Sequence, residues 1–599
     1  MNDKILKRSE VPVELTWRLE DIYEDEALLE KELEELGKLG DQMASFNGRA
    51  AKSAANLLEF FKLYERAELL LDRVYGYAHM RQDQDTSDTK YQALQQRGMF
   101  AITALMEKMS FFEPEVLELS DEEVERYYEE EPELKSYKVS ITEIRRLKDH
   151  ILDKDTELLL ASAEEMKMAS SKTYGLLDNA DMKFPKVNDG KGEEVQLSGE
   201  RFVPTQMSKD RELRKNAFEA FYTRYSEFKN TWASLYDGEV KGRIFSAKAR
   251  KYDNIFEAAV GANNVSPKVC DSLFESIHDN MDKMHRYVTL RKKLLGVDEL
   301  HMYDVYVSMI PDFDMEVSYE EAKEMSLKAL APLGEDYLEV VKSAYENRWI
   351  DVLENEGKRG GAYSSNVYGV HPYMLLNYSD TISDVFTLVH EMGHSMHTYY
   401  SCKAQSVFDS QYKIFVAEVA STTNEVLLYH YLKDRAKDKN EKAFIINFFL
   451  ERFKATMFRQ TMFEEFERKT GEMAEQGVPL TAEALYDVYL NLNKDYFGKD
   501  MVSDELIGWE WCRIPHFYYN FYVYQYATSF AAAVAIADKI LKEGEPAVKA
   551  YKEFLSSGCT QDPVSLLKIA GVDLTTREPI DRALEVFGRT LDEMEEVMK

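Results

Sequence analysis

The sequence predicts an all-α protein, mainly helical, with a small β element. Only 27 glycines and 14 prolines occur among its 599 residues, whereas these two types make up roughly 12% of an average protein. Hydrophobic residues account for 45% of the chain and aromatic residues for 12%, which is enough for one or two large cores. Helical formers such as Glu, Lys, Leu, Ala and Met are abundant. These observations exclude a disordered or collagen-like chain and favour helices throughout.

The chain is strongly acidic. It contains 75 Lys and Arg against 108 Asp and Glu, for a formal net charge of −33. A field of this sign repels phosphate, so the sequence predicts no nucleic-acid partner. The charge also favours solubility, but a total charge cannot locate an electronegative cleft for basic ligands.

Several features indicate a cytoplasmic protein without a membrane segment. The first ten residues contain no apolar segment typical of a signal peptide. The longest uncharged apolar run near the C-terminus, Phe530 to Ala537, has eight residues, far fewer than a membrane span requires. The four cysteines are scattered without a CxxC pair and are predicted to be reduced thiols. The sequence does not specify an oligomeric state.

Element by element, the chain begins with long amphipathic helices over residues 27–172, where Leu28, Leu33, Leu36 and Leu39 form one apolar stripe. Residues 183–197 have the alternation and the Gly-containing turn of a β-hairpin. We therefore expect a helical N-terminal domain, residues 1–200, that ends in this hairpin, and a second helical domain, residues 201–599. Residues 356–378, with glycines clustered at 357–361, predict short β segments. Helices follow nearly to the C-terminus.

One motif inside the second domain carries chemistry. His390-Glu391-Met392-Gly393-His394 is an HExxH sequence within an apolar helical pattern. The i, i+4 spacing places both imidazoles on one helix face, where they can bind one Zn²⁺. Glu391 then lies close enough to deprotonate a zinc-bound water and to pass the proton to the leaving amine. The alternative is a pair of histidines that merely pack in the core.

A catalytic zinc ion needs a third protein ligand and one open position. The HExxHxxGxxH pattern is excluded, because His397 and Tyr400 occupy the positions of its glycine and third histidine. His397 is interpreted as a packing residue or a residue that supports the ligands.

The apolar segment 415–428 contains two isolated acids. A carboxylate in such a segment is costly unless it meets a cation, so Glu418 is predicted to be the third zinc ligand. Glu425 lies two turns further along the same face, where it can orient a ligand imidazole. The alternative is that both acids pair with Lys413 or Arg435 at the surface.

These residues resemble a known family. The motif with His397, followed 28 residues after His390 by Glu418 within Phe-Val-Ala-Glu, is closely similar to oligoendopeptidase F, one of the thimet oligopeptidase-like zinc metallopeptidases. The segments Gly360–Ser364 and His371–Tyr373 also match the loop that precedes the motif in this family. The resemblance extends nearly end to end.

The resemblance implies a clam-like, two-lobed helical fold with a deep channel, one Zn²⁺ per chain and a small β element beside it. It implies cleavage of internal bonds in short, unstructured oligopeptides. His516 and Tyr526, or Tyr519, match the family's His and Tyr that donate hydrogen bonds to the oxyanion. Tyr363 and Gly361 are candidate contacts to the substrate backbone by strand addition, although Tyr363 also suits a hairpin.

The sequence therefore predicts a zinc-dependent endopeptidase. Two alternatives remain open at this point. A helical metallocarboxypeptidase or dipeptidyl carboxypeptidase shares the HExxH chemistry. A non-catalytic helical scaffold that binds peptides belongs to a different class of function.

Overall fold

The computed structural model describes residues 5–310 and 315–599. Helices account for 71% of the structure and strands for 4%, which confirms the mainly helical class with a small β element. By contacts between Cα atoms the chain forms two compact units. The first comprises the described residues of Met1–Lys148, Met315–Tyr431 and Ile536–Val572, and the second those of Asp149–Asp314, Leu432–Ala535 and Asp573–Lys599. The boundary predicted near residue 200 falls inside the first segment of the second unit.

The α-helices follow one another along the whole chain. In order they are α1 (Glu26–Ala44), α2 (Ala54–Gln84), α3 (Thr89–Met109), α4 (Phe112–Leu117), α5 (Asp121–Glu130), α6 (Lys138–Arg146), α7 (Lys154–Lys167), α8 (Ala169–Leu176), α9 (Gly199–Gln206), α10 (Arg211–Ser226), α11 (Lys229–Ala249), α12 (Ile255–Ala262), α13 (Lys268–Asp279), α14 (Met281–Leu295), α15 (Tyr319–Ala329), α16 (Glu335–Glu346), α17 (Ile382–Ala404), α18 (Ile414–Arg435), α19 (Lys439–Arg452), α20 (Arg459–Glu475), α21 (Ala482–Phe497), α22 (Tyr524–Glu543), α23 (Glu545–Leu555), α24 (Pro563–Ile569) and α25 (Glu578–Val597).

The strands in the described part of the chain form three small sheets. They are β1 (Lys186–Asn188), β2 (Glu194–Gln196), β3 (Leu300–His301), β4 (Ile350–Leu353), β5 (Tyr363–Ser365), β6 (Tyr373–Tyr378) and β7 (Met501–Val502). β1 and β2 pair antiparallel, which confirms the predicted hairpin, and β3 pairs with β7 in parallel. The third sheet has the order β4-β6-β5, with β4 parallel and β5 antiparallel to β6. This third sheet belongs to the first unit and includes the predicted β segments after residue 356.

The three-stranded sheet is held against the helical core of the first unit. Tyr373 and Leu375 of β6 are fully buried and belong to the same hydrophobic cluster as Phe60 and Phe61 of α2. The rings of Phe60 and Phe112 stack with their centroids 4.0 Å apart. Apolar burial of this kind is the main favourable term in folding, so the sheet is packed firmly into the core of the first unit.

A buried carboxylate connects β4 to the segment that leads into β5. Asp351 is fully buried, and its Oδ1 accepts from Arg8 Nη1 at 2.9 Å. Lys358 Nζ lies 2.7 Å from the same oxygen and donates to the backbone oxygen of Leu353 at 2.7 Å. Burial would raise the pKa of Asp351, but Arg8 and Lys358 outweigh it and hold that pKa below its usual range. These bonds fix the glycine-rich approach to β5.

Among the described helices, none combines the length and the apolar composition needed to cross a lipid bilayer. All four cysteines, Cys270, Cys402, Cys512 and Cys559, are free thiols.

Candidate active site

The HExxH motif lies in the middle of α17. Thr381 caps the start of this helix, since its hydroxyl accepts from the backbone N–H of Asp384 and the Asp384 carboxylate accepts from the N–H of Thr381. A reciprocal pair of this kind satisfies two backbone donors that a helix start otherwise leaves unpaired. Val385, Leu388 and Met392 are fully buried. The apolar face fixes the helix in the core, so the histidines project from a rigid element.

Three side chains converge on one point beside α17. The Nε2 atoms of His390 and His394 lie 3.2 Å apart. Oε2 of Glu418, on α18, lies 3.3 Å from Nε2 of His390 and 3.7 Å from Nε2 of His394. Each residue is partly exposed and contributes one atom to a group that could hold a metal ion. The structure thus brings together the three residues predicted as ligands.

The outer contacts of these side chains determine which atoms carry free lone pairs. His390 Nδ1 lies 2.7 Å from Oε1 of Glu425, so this nitrogen donates its proton to the carboxylate and the neutral ring has its lone pair on Nε2. The His394 ring is hydrogen-bonded to the backbone carbonyl of Ala417, and Ser421 Oγ donates to Oε2 of Glu418 at 3.0 Å. With both imidazoles neutral, the three inward atoms are therefore all acceptors, and acceptors that face one another repel unless a cation lies between them.

The spacing of the three acceptors fits a divalent metal. A tetrahedral zinc ion with ligands at about 2.0–2.2 Å places its ligand atoms about 3.3–3.6 Å apart. The distances here, 3.2, 3.3 and 3.7 Å, lie around that range. Two imidazoles and one carboxylate are also ligand types that suit zinc. The donor set and its geometry both fit such an ion.

A glycine explains how α18 comes so close to α17. A Cβ atom added to Gly393 would lie 2.5 Å from Cα of Ser421 and 2.6 Å from the carbonyl oxygen of Ala420. Both are backbone atoms, so neither can yield by a side-chain rotation. Asn424 Nδ2 donates to the carbonyl oxygen of Val389 at 3.1 Å. This hydrogen bond is a second contact between α17 and α18. The helix contact thereby sets the position of Glu418.

Glu391 lies beside the three acceptors and is only 7% exposed. Its carboxylate accepts a hydrogen bond from the backbone N–H of Ser364 in β5. Burial raises the pKa of Glu391 to about 7, with contributions of the same sign from Glu418 and Glu425 and an opposing one from His390. A carboxyl group with a pKa near neutrality can both accept and return a proton.

The histidines of the motif differ in their electrostatics. Burial disfavours the charged form of His390, but the hydrogen bond and charge of Glu425 outweigh it and raise the pKa of His390. Burial and the neighbouring His390 lower the pKa of His394 to about 4. His394 is therefore neutral at pH 7, which is the state that binds a metal.

His397 is not one of the converging residues. Its ring is 1% exposed and stacks on Tyr412 with the centroids 3.7 Å apart. Burial lowers the pKa of His397 to about 3, so the ring is neutral and packs as an aromatic residue. Lys413, considered as a surface partner for the acids, instead pairs with Glu143 at 2.5 Å.

The two predicted substrate contacts lie at the start of β5. Tyr363 pairs with Leu375 of β6, and its hydroxyl donates to Oδ2 of Asp83 at 2.8 Å. Gly361 has φ +83°, a left-handed conformation that favours glycine, and its carbonyl oxygen accepts from Asn377 at 2.8 Å. β5 is an edge strand of its sheet, the type of strand to which a peptide can add.

His516, Tyr519 and Tyr526 lie in the second unit. His516 belongs to a short 3₁₀ turn, Pro515–Tyr518, and Tyr526 to the first turn of α22. The His516 ring centroid lies 5.4 Å from that of Tyr519 and 6.0 Å from that of Tyr526. Tyr519 is 56% exposed, whereas Tyr526 is partly buried. The three side chains thus form one cluster.

A buried ion pair holds the turn that carries this cluster. Arg243 Nη1 lies 3.0 Å from Oε1 of Glu467, and Arg243 Nη2 donates to the carbonyl oxygen of Phe517 at 2.7 Å. The same Glu467 oxygen accepts from the backbone N–H of Phe521, a buried residue with φ +56°. Such a conformation persists only where the surroundings enforce it.

Sequence reasoning did not single out two supporting residues. Ser364 carries no signal of its role, because the group that binds Glu391 is its backbone N–H, which does not depend on residue type. Asn424 did carry a signal, since it is a fully buried amide within an apolar helix, and a buried amide needs hydrogen-bond partners.

We expect Gly393→Ala to lower both metal content and thermal stability, because the added methyl group would force α17 and α18 apart. Gly37→Ala on α1 is the matched control, since a Cβ atom there meets nothing within 4 Å and alanine favours a helix over glycine by about 1 kcal/mol. The measurements are metal analysis of the purified proteins and the midpoint of thermal unfolding. Equal metal content and equal midpoints for Gly393→Ala and wild type would contradict the role of this contact.

Comparisons with known proteins agree with this geometry. The sequence pattern of Peptidase family M3 matches residues 205–586, and that of Oligopeptidase F matches residues 115–184. Oligopeptidase PepF of Bacillus subtilis is 46% identical over 591 residues, which cover 99% of this chain and 88% of that protein.

Two solved structures extend the likeness to the fold. A protein from Chlamydophila abortus superposes with a TM-score of 0.93 at 33% identity, covering 99% of this chain and 100% of that one. Oligoendopeptidase-F from Enterococcus faecium superposes with a TM-score of 0.73 at 37% identity, covering 96% and 99%. The chain belongs to peptidase family M3 and is a metalloendopeptidase of the oligoendopeptidase F type.

Proposed function

We propose that this metalloendopeptidase uses one Zn²⁺ to hydrolyse internal peptide bonds of short, unstructured oligopeptides in the cytoplasm. The observation that carries the proposal is the convergence of three potential ligand atoms, from His390, His394 and Glu418, beside the buried carboxyl group of Glu391. Family membership supports the peptidase class.

His390, His394 and Glu418 would hold the ion. When bound, Zn²⁺ supplies a Lewis acid that makes a water molecule more acidic and polarises a peptide carbonyl group. Glu425 keeps the proton on Nδ1 of His390 and so directs the Nε2 lone pair inward. A carboxylate behind a ligand histidine also raises the basicity of that ligand.

Glu391 would be the proton carrier. Its carboxylate takes a proton from the attacking water and returns it to the nitrogen of the leaving amine, so that it acts first as a base and then as an acid. The N–H of Ser364 fixes the direction of the carboxylate. Because this donor belongs to the backbone of β5, Glu391 keeps its position without depending on a mobile side chain.

His516 and Tyr526 are proposed as hydrogen-bond donors to the oxyanion of the tetrahedral intermediate, on the strength of the family resemblance. One physical reason supports proposing Tyr526 rather than Tyr519. Tyr526 projects from a regular helix, whereas Tyr519 directly precedes two residues with positive φ, Asn520 and Phe521. Donors on rigid elements keep their geometry better than donors in loops.

We expect Glu391→Gln to lower kcat/KM by about 10²–10⁴-fold with unchanged zinc content, since the amide cannot accept the proton. The assay is cleavage of a quenched fluorescent peptide that is blocked at both termini, with the products identified by mass spectrometry. Glu354→Gln, at an exposed position, is the matched control. Wild-type activity in Glu391→Gln would contradict the mechanism, and a wild-type enzyme that cuts only unblocked peptides would be an exopeptidase.

The assigned ligands predict graded losses of zinc. Glu418→Ala should be purified without stoichiometric zinc, because one of the three ligands is missing. Glu425→Gln should retain zinc but bind it about 10–100-fold more weakly, as is typical when the partner of a ligand histidine is removed. Competition with a chelator measures both affinities. Unchanged zinc affinity in Glu418→Ala would remove this residue from the ligand set.

Tyr526→Phe should lower kcat by about 10²–10³-fold, the usual effect of removing one oxyanion donor, with little change in KM. Tyr519→Phe is the matched control and should retain kcat within a few fold. The steady-state rates are measured on the same blocked peptide. A normal kcat in Tyr526→Phe together with a reduced one in Tyr519→Phe would assign the donor role to Tyr519 instead.

A further inference from the structure

A cavity lies in the first unit, outside the cluster of His390, His394 and Glu418. Its volume is about 380 Å³, within the range of pockets that bind small ligands. Its walls are α2, β5 with the residue after it, α17 and the connection from α17 to α18. We call it the Asp72 pocket after the carboxylate of α2 that lines it.

The packing of α2 against the segment after β5 shapes this pocket. A Cβ atom added to Gly76 would lie 2.6 Å from Cγ2 of Val367, and Val367 is 1% exposed and cannot move aside. α2 therefore packs against this segment more closely than any side chain at position 76 would permit. The shape of the pocket follows from this tight packing.

Asp72 supplies the negative charge of the pocket. Its Oδ2 accepts from the backbone N–H of Tyr368 at 2.5 Å. Burial raises the pKa of Asp72 to about 6, so the carboxylate is mainly ionised at pH 7. Glu68 lies one turn earlier on α2, and burial, together with the charge of Asp72, raises its pKa as well. A positive charge placed in the pocket would relieve the cost of burying the Asp72 carboxylate.

The described residues that line the pocket provide no such charge. They include neither lysine nor arginine, and the group that stabilises the Asp72 charge is the backbone N–H of Tyr368. His79 lines the pocket, but its Nε2 lies 3.3 Å from Asp83 and burial lowers its pKa. His79 is therefore neutral at pH 7. The remaining polar lining comprises hydroxyl and amide groups such as those of Ser365, Thr398 and Gln411.

The pocket shares two elements with the candidate active site. Ser364 lines it, and the N–H of the same residue binds Glu391. Thr398 lies one turn after His394 on α17, and its hydroxyl is hydrogen-bonded to that of Tyr412, another lining residue, at 2.9 Å. β5 therefore connects the Asp72 pocket with Glu391 through a single residue, Ser364.

We propose that the Asp72 pocket binds a positively charged group of the peptide substrate, with the Asp72 carboxylate as its counter-ion. This inference rests on the proposed peptidase function and assigns a preference to it. The cation is an ammonium or guanidinium group, which belongs either to a Lys or Arg side chain or to the free amino terminus of the peptide. Asp72 is then a residue that determines specificity and takes no part in bond cleavage.

The test uses the zinc-loaded full-length enzyme and three sets of quenched peptides with one backbone. The first set is blocked at both termini and carries Lys at successive positions around the cleaved bond. The second is identical except for norleucine in place of Lys. The third contains norleucine and has a free amino terminus. The measured quantity is kcat/KM for each peptide, at one ionic strength, in wild type and in Asp72→Asn.

Wild type should cleave a cationic peptide at least about tenfold faster than its blocked norleucine counterpart, the effect of a partly desolvated charge pair. Asp72→Asn should lose this preference while cleaving the norleucine peptide at the wild-type rate, which also shows that the variant is folded. A preference for Lys at one position identifies a side-chain site, and a preference only in the third set identifies the amino terminus. Glu59→Gln, an exposed site on α2, makes the same charge change and should retain the preference.

If Asp72→Asn does not fold, Ser365→Lys tests the same proposal from another lining residue. An ammonium group placed in the pocket should abolish the preference with Asp72 unchanged. A wild-type enzyme without any preference for cationic peptides, or a preference that survives in Asp72→Asn and Ser365→Lys, would overturn the assignment. A wild-type enzyme that cleaves none of the three sets would instead contradict the endopeptidase function.

Discussion

The contact between α17 and α18 at Gly393 is the constraint on which the candidate site depends. Backbone atoms of Ser421 and Ala420 occupy the space that any side chain at position 393 would need. This approach places Glu418 within 3.3 Å of His390, and the bond from Asn424 to the carbonyl oxygen of Val389 prevents the helices from sliding. Glu425 follows Glu418 by two turns, so one helix supplies both the third acceptor and the group that orients the first.

The electrostatics of the cluster favour a bound cation. Two imidazole nitrogens and a carboxylate oxygen face one another at 3.2–3.7 Å, and the carboxyl group of Glu391 is buried beside them. Burial and the neighbouring acids raise the pKa of Glu391 to about 7, although His390 opposes them. A divalent ion would remove the repulsion and favour the ionised carboxylate. Since the unfolded chain lacks this arrangement, metal binding would also stabilise the folded state.

Local sequence patterns predicted the elements that carry the chemistry. The i, i+4 spacing placed His390 and His394 on one face of α17, and the cost of an acid in an apolar helix singled out Glu418, which lies beside them. The hairpin of β1 and β2 followed from its alternation and turn. What could not be predicted depends on contacts between distant parts of the chain. β4 is a four-residue strand whose parallel partner begins at Tyr373, and neither unit is a continuous segment. From the local sequence Gly393 is only a weak helix former, since its close contact with α18 involves residues far along the chain.

The strand β5 connects substrate position to proton transfer. This strand is the edge of its sheet. Its pairing with β6 and the ion pair of buried Asp351 with Lys358, before β5, hold it in place. Ser364 contributes to two functions at once, since its N–H orients Glu391 and the residue lines the Asp72 pocket. A charged group bound in that pocket would be positioned relative to the same strand that positions the carboxylate. Binding energy from a remote group raises the rate when it holds the reacting atoms in place. Because the rigid strand β5 would position both the substrate and Glu391, a preference for cationic peptides would appear in kcat as well as in KM.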